Sequence, residues 1–178
     1  MKRIYTAALI LIASANITFA QVKNTISKSK ITFEIKNLGF KTGGTIGGVQ
    51  GDVAFDPANL NGSKIEATAD ATTLDTDNDL RNEHIKGESY FNVAVYPKII
   101  MSSTAFKSKG GNNYTGTFNI SIKGKTKPVE VPFSYTVTGN TAFLKGSFKI
   151  KRSDFGIGGG GLTLGNEATI FIEAESAR

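Results

Sequence analysis

Asp75, Asp77 and Asp79 alternate along one short stretch, His84 follows five residues after the last of them, and Ser89 five residues later. A histidine beside a carboxylate can serve as a general base, and a nearby serine hydroxyl is the nucleophile it would activate. This is the one hydrolase-like grouping in the chain. The same aspartates also suit a plainer task, capping a helix and solvating a loop while His84 bonds to neighbouring backbone. Calcium would accept alternating carboxylates too, but the central Gly and terminal Glu of an EF-hand loop are missing. Arg152 and Asp154 sit two apart on what reads as an extended strand, so both would point to one side. There they would pair with each other, or Arg152, with Arg81, would meet a polar or anionic headgroup.

Other chemistries are ruled out by composition. The chain has no cysteine and a single histidine, so thiolate metal sites, cysteine nucleophiles and multi-histidine metal sites are excluded. No metal and no cofactor is implied. The run from Gly156 to Gly161 spells a dinucleotide fingerprint, yet Leu162-Thr163-Leu164 and a strand follow it where a helix is required. Gly124-Lys125-Thr126 ends like a phosphate loop, but Asn119 stands where that loop needs its first glycine, so it reads as a hairpin turn.

The elements that must position these residues follow a period of two. Ile31, Phe33 and Ile35 interleave with polar neighbours, as do Phe118, Ile120 and Ile122, and Val129, Val131, Phe133, Tyr135 and Val137. Successive strand side chains point to opposite faces, so each run has one apolar and one wet face. Strands are expected at Lys28 to Asn37, Val49 to Phe55, Lys64 to Thr72, Lys98 to Lys107, Tyr114 to Lys123, Val129 to Thr138, Ala142 to Ile150 and Glu167 to Glu175. Turn residues at Asp56-Pro57, Gly110 to Asn112, Gly124 and Gly139-Asn140 punctuate them. The expected fold is all-β, an eight-stranded antiparallel up-and-down barrel, because closure removes the exposed edges of long strands. Asp75 to Tyr96 breaks the pattern and predicts an excursion between strands 3 and 4, with one short helix near Asn78 to Lys86 acting as a lid.

The first 20 residues read as a signal peptide: Lys2 and Arg3, an apolar core from Ala7 to Ala15, and Thr18-Phe19-Ala20 before cleavage. Residues 21–178 then form one domain, periplasmic or secreted, without stable membrane insertion. Loss of Lys2 and Arg3 leaves 19 basic against 15 acidic residues, a net charge of +4. The lysines are scattered over wet faces, which serves solubility and edge protection. Export and the lack of an aromatic stacking face among the basic residues argue against nucleic acid. A homodimer is left open.

Inward positions carry Phe33, Ile35, Phe55, Ile65, Ile99, Met101, Phe118, Phe133, Phe148 and Ile170, a smooth apolar lining. Small residues fall between them: Gly51, Ala67, Ala69, Ser103, Gly116, Gly146 and Ala168. An eight-stranded barrel either fills itself with side chains or holds one small ligand, and these small residues leave room for a narrow apolar chain. Roughly ten buried methylenes at about 0.8 kcal/mol each would give about 8 kcal/mol before ordering costs, a micromolar affinity.

Several segments taken together resemble the YceI-like family. They are Ile31-Thr-Phe33, Gly51-Asp-Val-Ala-Phe55-Asp56, Leu80-Arg81-Asn-Glu-His84-Ile, Tyr90-Phe91 with Tyr96-Pro97, Ile120 to Val129 with its Gly124-x-Thr126-Lys-Pro128, and Arg152-Ser153-Asp154-Phe155-Gly156-Ile157. The likeness runs from about residue 29 to 175, and it departs from the family pattern in the longer Gly158 to Gly161 run. The resemblance implies a lipocalin-like extended barrel, exported in many bacteria, that holds a polyisoprenoid or a fatty-acid derivative. Arg81, His84, Arg152 and Asp154 match family motif positions. The expected function is therefore an exported carrier of a long-chain apolar lipid, without catalysis. The alternatives are an envelope hydrolase using His84 with a nearby Asp, and a structural envelope module whose core is filled.

Overall fold

In the computed structural model, residues 24–159 and 163–177 are described. The expected signal peptide and its cleavage point after Ala20 lie outside the described residues. Eight strands follow one another: β1 (Asn24–Asn37), β2 (Phe40–Ala54), β3 (Lys64–Asp75), β4 (Lys98–Gly110), β5 (Asn113–Ile122), β6 (Lys125–Thr138), β7 (Thr141–Lys151) and β8 (Leu164–Ala177). Each pairs antiparallel with its sequence neighbour, and β8 pairs back on β1, closing the barrel. Ile31 shows the closure in one residue, facing Ile46 on β2 and Ile172 on β8. At 10 to 15 residues the strands are well above the usual length of about five or six. The barrel is correspondingly tall.

Two helical segments interrupt the meander. Helix α1 (Asp79–Lys86) lies between β3 and β4, where the sequence places a lid. The Asn78 side chain caps it by accepting from the Arg81 backbone N–H at 2.9 Å, and Asp79 in its first turn suits the positive end of the helix. The second, α2 (Arg152–Phe155), is a single turn between β7 and β8, closed by Gly156 at φ 65°.

This one turn overturns the sequence reading of Arg152 and Asp154. In a helix, residues two apart are about 200° apart around the axis, so the two side chains diverge instead of sharing a face. Arg152 is buried, Asp154 is exposed, and no ion pair joins them. The alternation of β7 runs up to Lys151, which hides the change from strand to helix.

While β5 keeps its expected length shifted by one residue, the other seven strands run longer than expected, β2 most of all. It begins at Phe40, nine residues before the alternation at Val49. Gly43, Gly44, Gly47 and Gly48 supply no side chains to alternate, but the backbone requires some of them. A Cβ on Gly44 would stand 2.1 Å from the carbonyl oxygen of Asp75, and one on Gly43 would stand 2.2 Å from that of Phe33. Neighbouring backbone has taken the space.

Up-and-down order sorts the connections onto two ends. The β2/β3, β4/β5 and β6/β7 turns lie at one end; the β1/β2 and β5/β6 turns, α1 and α2 lie at the other. The first end is packed with aromatic rings. The second surrounds the opening of an internal cavity.

Candidate functional site

The cavity measures about 420 Å³ and runs inside the barrel beneath α1 and α2. That volume falls within the roughly 300–1,000 Å³ of small-molecule sites. Its wall comes from the inward faces of the strands, where β-branched and aromatic residues pack well on a pleated surface. Phe33 and Ile35 of β1, Ile65 and Ala67 of β3, Ile99 and Met101 of β4, Phe118 of β5, Phe133 of β6, Phe148 of β7 and Ile170 of β8 all line it. The structure thus gathers ten of the eleven apolar positions singled out in the sequence around one space.

Phe55 is the eleventh, and it does not line the cavity. It sits at the hub of the aromatic end, with ring centroids 4.7 Å from Tyr135, 4.9 Å from Tyr114, 5.1 Å from Phe106 and 5.4 Å from Phe133. Edge-on packing of this kind suits the ring quadrupoles. Phe118 and Phe133 join both the ring cluster and the cavity wall, so they form its floor. Period-two reasoning gives the face a side chain occupies but not its height along the barrel.

The small inward residues divide in the same way. Ala67, Ala69, Gly146 and Ala168 border the cavity. Gly51, Ser103 and Gly116 do not. A Cβ on Gly116 would lie 2.4 Å from the Phe118 ring, and one on Gly51 would lie 2.7 Å from the Cα of Ala67. Space at those two positions is filled by the protein.

The wall also contains residues that the sequence reading did not select. Ile46 and Val49 come from the glycine-rich half of β2, and Tyr90, Phe91 and Ile157 come from the segments after α1 and α2. The adjacent aromatic pair Tyr90-Phe91 directly after a helix pattern was the available signal for the lid's inner surface.

The rim of the cavity is polar. Arg152, 8% exposed, lines it and donates Nε to the Gly165 carbonyl at 2.8 Å, Nη1 to the Ile157 carbonyl at 2.5 Å and Nη2 to the Leu164 carbonyl at 3.2 Å. No carboxylate pairs with this guanidinium among the described residues. A buried cation is costly without compensation, and three carbonyl dipoles supply only part of it.

Arg81 and His84 border the same space from α1. Arg81 donates Nε to Thr76 Oγ1 at 2.8 Å and Nη2 to the Thr76 carbonyl. Thr76 in turn donates its N–H and its hydroxyl to Asn82 Oδ1, at 2.8 and 2.7 Å. Asn82 Nδ2 completes the chain by donating to Asp75 Oδ1 at 2.8 Å. That bond, with a second from the Asp77 backbone N–H, holds the Asp75 carboxyl below the usual carboxylate range.

The aspartates therefore brace the lid. The His84 ring stands 4.8 Å from that of Tyr90, and no carboxylate hydrogen-bonds to it among the described residues. The described residues hold no cluster of three or more metal-ligating side chains. Asp154 stands outside the wall.

The lid is latched to the glycine-rich rim. The Gly158 N–H donates to the Ser89 carbonyl at 2.8 Å, and Lys123 Nζ donates to the carbonyls of Glu88 at 2.8 Å and Gly156 at 3.1 Å. Gly158 has φ 68° and fits against Arg152 and Tyr90, where a Cβ would come within 2.7 and 2.8 Å of them. The arrangement can enclose an apolar chain in the barrel and place its end near a cation at the rim.

Known proteins share this architecture. A family model described as the YceI-like domain matches residues 22–176. A UPF0312 protein of Azotobacter vinelandii is 30% identical over 155 residues, spanning 83% of this chain and 81% of the relative. The crystal structure of Burkholderia cenocepacia BcnA superimposes with a TM-score of 0.79 at 29% identity, over 84% of this chain and 96% of that one. A polyisoprenoid binding domain from Saccharophagus degradans, implicated in plant cell wall breakdown, shares the fold with a TM-score of 0.70 at 10% identity, over 89% and 100% of the two chains. No helix among the described residues is long and apolar enough to cross a membrane.

Proposed function

This chain belongs to the YceI-like domain family, and on that premise we propose that it is an exported carrier that holds one long apolar chain inside its barrel and performs no catalysis. The observation that carries this reading is the cavity of about 420 Å³, walled by phenylalanine, isoleucine and alanine side chains from all eight strands and floored by Phe118 and Phe133. Desolvation of an apolar guest supplies affinity there without strong polar contacts.

A polyisoprenoid or a fatty-acyl derivative is the ligand class proposed. A fold neighbour is itself described as polyisoprenoid binding, and a narrow apolar space suits such a chain. The wall residues Phe33, Ile35, Ile65, Ala67, Ile99, Met101, Phe118, Phe133, Phe148 and Ile170 would contact the tail. Arg152, with Arg81 and His84, would face a headgroup that accepts hydrogen bonds, since Arg152 lacks a carboxylate partner among the described residues. The basic and apolar segments before Gln21 support export to the periplasm or beyond, with residues 21–178 as the mature domain.

Uptake of a fluorescent prenyl or acyl probe by delipidated protein tests this directly. The reading requires saturable uptake at one site per chain. Failure to take up either probe counts against it.

A further inference from the structure

The β1/β2 turn at the mouth of the cavity breaks the chemistry of a tight hairpin. Leu38 and Gly39 both have positive φ, 50° and 83°, between the paired residues Asn37 and Phe40. Two successive positive φ values characterise the two-residue turn that favours Asn-Gly or Asp-Gly, and a leucine there is strained. At the opposite end, the β4/β5 turn places glycines at its positive-φ positions, Gly110 and Gly111, and the β6/β7 turn places Gly139 at one.

In the β5/β6 turn at the same end, Lys123 also stands at positive φ, 50°, and its side chain latches Glu88 and Gly156. The Leu38 side chain has no hydrogen-bonding role of that kind among the described residues and is 69% exposed. Phe40, beside it, is 79% exposed. It stands two residues before Thr42, which lines the cavity, so it continues the cavity-facing side of β2 above the rim.

Charge flanks this apolar tip. Lys36 and Lys41 are direct cross-strand partners one step behind it. Like charges directly opposed in an antiparallel pair are destabilising. Glu34 meets Lys41 at 3.0 Å, while Lys36 has no ion pair among the described residues. An exposed leucine and phenylalanine backed by paired lysines fit the boundary of an anionic bilayer, where apolar side chains enter the acyl region and ammonium groups stay among the headgroups.

We propose that the Leu38-Gly39-Phe40 tip docks the cavity mouth onto the surface of a bilayer containing anionic phospholipid. The same hairpin supplies Asn37 and Thr42 to the cavity rim, so docking sets the opening against the source of its cargo. This goes beyond the carrier reading, and its test needs no cargo.

The test is flotation of the purified protein, exported by its host and then delipidated, with vesicles of phosphatidylcholine with and without phosphatidylglycerol. Wild-type protein associates with the phosphatidylglycerol vesicles, and added salt weakens the association. Leu38→Asn together with Phe40→Ser lowers the bound fraction about tenfold. Leu38→Asn alone lowers it while leaving the melting temperature unchanged or higher, because asparagine is favoured at that turn position. Phe143→Ser, at an exposed position of β7 that does not line the cavity, leaves binding unchanged.

Wild-type protein that does not float, or a double variant that floats like wild type, overturns the proposal. So does a double variant whose only change is in oligomeric mass, which would make the tip a contact between copies of the chain.

Discussion

Arg152 Nη1 donates to the carbonyl oxygen of Ile157 at 2.5 Å, tying the one-turn helix between β7 and β8 to the rim segment that follows it. The other two nitrogens reach across to Leu164 and Gly165 at the start of β8. One planar cation thereby ties α2 to the segments on either side of it, and it lines the cavity.

Arg152→Lys should therefore be a poor replacement. Lysine keeps the charge but cannot reach three carbonyls in fork geometry, and each charge-assisted bond lost from a buried site costs about 1.5–3 kcal/mol. A lower urea midpoint with unchanged slope is the expected result. An Arg152→Lys protein as stable as wild type would show that the guanidinium is not what closes the rim.

Phe55→Ala and Ala67→Phe should separate stability from binding. Phe55 lies in the aromatic end, so its truncation should cost about 3–5 kcal/mol and leave probe affinity per folded molecule nearly unchanged. Ala67 borders the cavity opposite Met101 on β4, so Ala67→Phe should abolish probe uptake while the far-ultraviolet circular dichroism stays that of the barrel. Met101→Trp should behave as Ala67→Phe does.

The contrast between those two residues also marks what the sequence made legible. Alternation identified the eight strands and the inward face of each, and its interruption from Asp75 to Tyr96 identified the helix-bearing excursion between β3 and β4. It left Phe33 and Phe55 equivalent, because a period of two carries no information about height along the axis. The glycines of β2 carry no side-chain pattern, so the stretch from Phe40 to Gly48, with its wall residue Ile46, went unread. Arg152 and Asp154 fell to a single helical turn too short for a periodic signal, and the turn separated them.

Acid should loosen the lid. Asp75 is held below the ordinary aspartate value of about 3.9 by the hydrogen bond from Asn82 and then by the Asp77 N–H. Asp70 is lowered first by its Thr72 hydrogen bond, and Glu173 by its hydrogen bond from Lys145. A carboxylate whose folded pKa is depressed adds stability that is fully present above its unfolded pKa and is lost as pH falls through the folded one. Stability should hold above about pH 5 and decline below about pH 4. Asn82→Ala should reduce the Asp75 share of that decline, and melting curves taken from above pH 5 to well below pH 4 measure it.

The account rests on an interior that is occupied by an apolar chain in the cell. Organic extraction of the purified native protein, followed by mass spectrometry against a weighed protein standard, tests this most directly. The predicted result is a prenyl or acyl lipid at close to one molecule per chain. A native protein that yields no such lipid, and whose delipidated form takes up neither prenyl nor acyl probe, contradicts it.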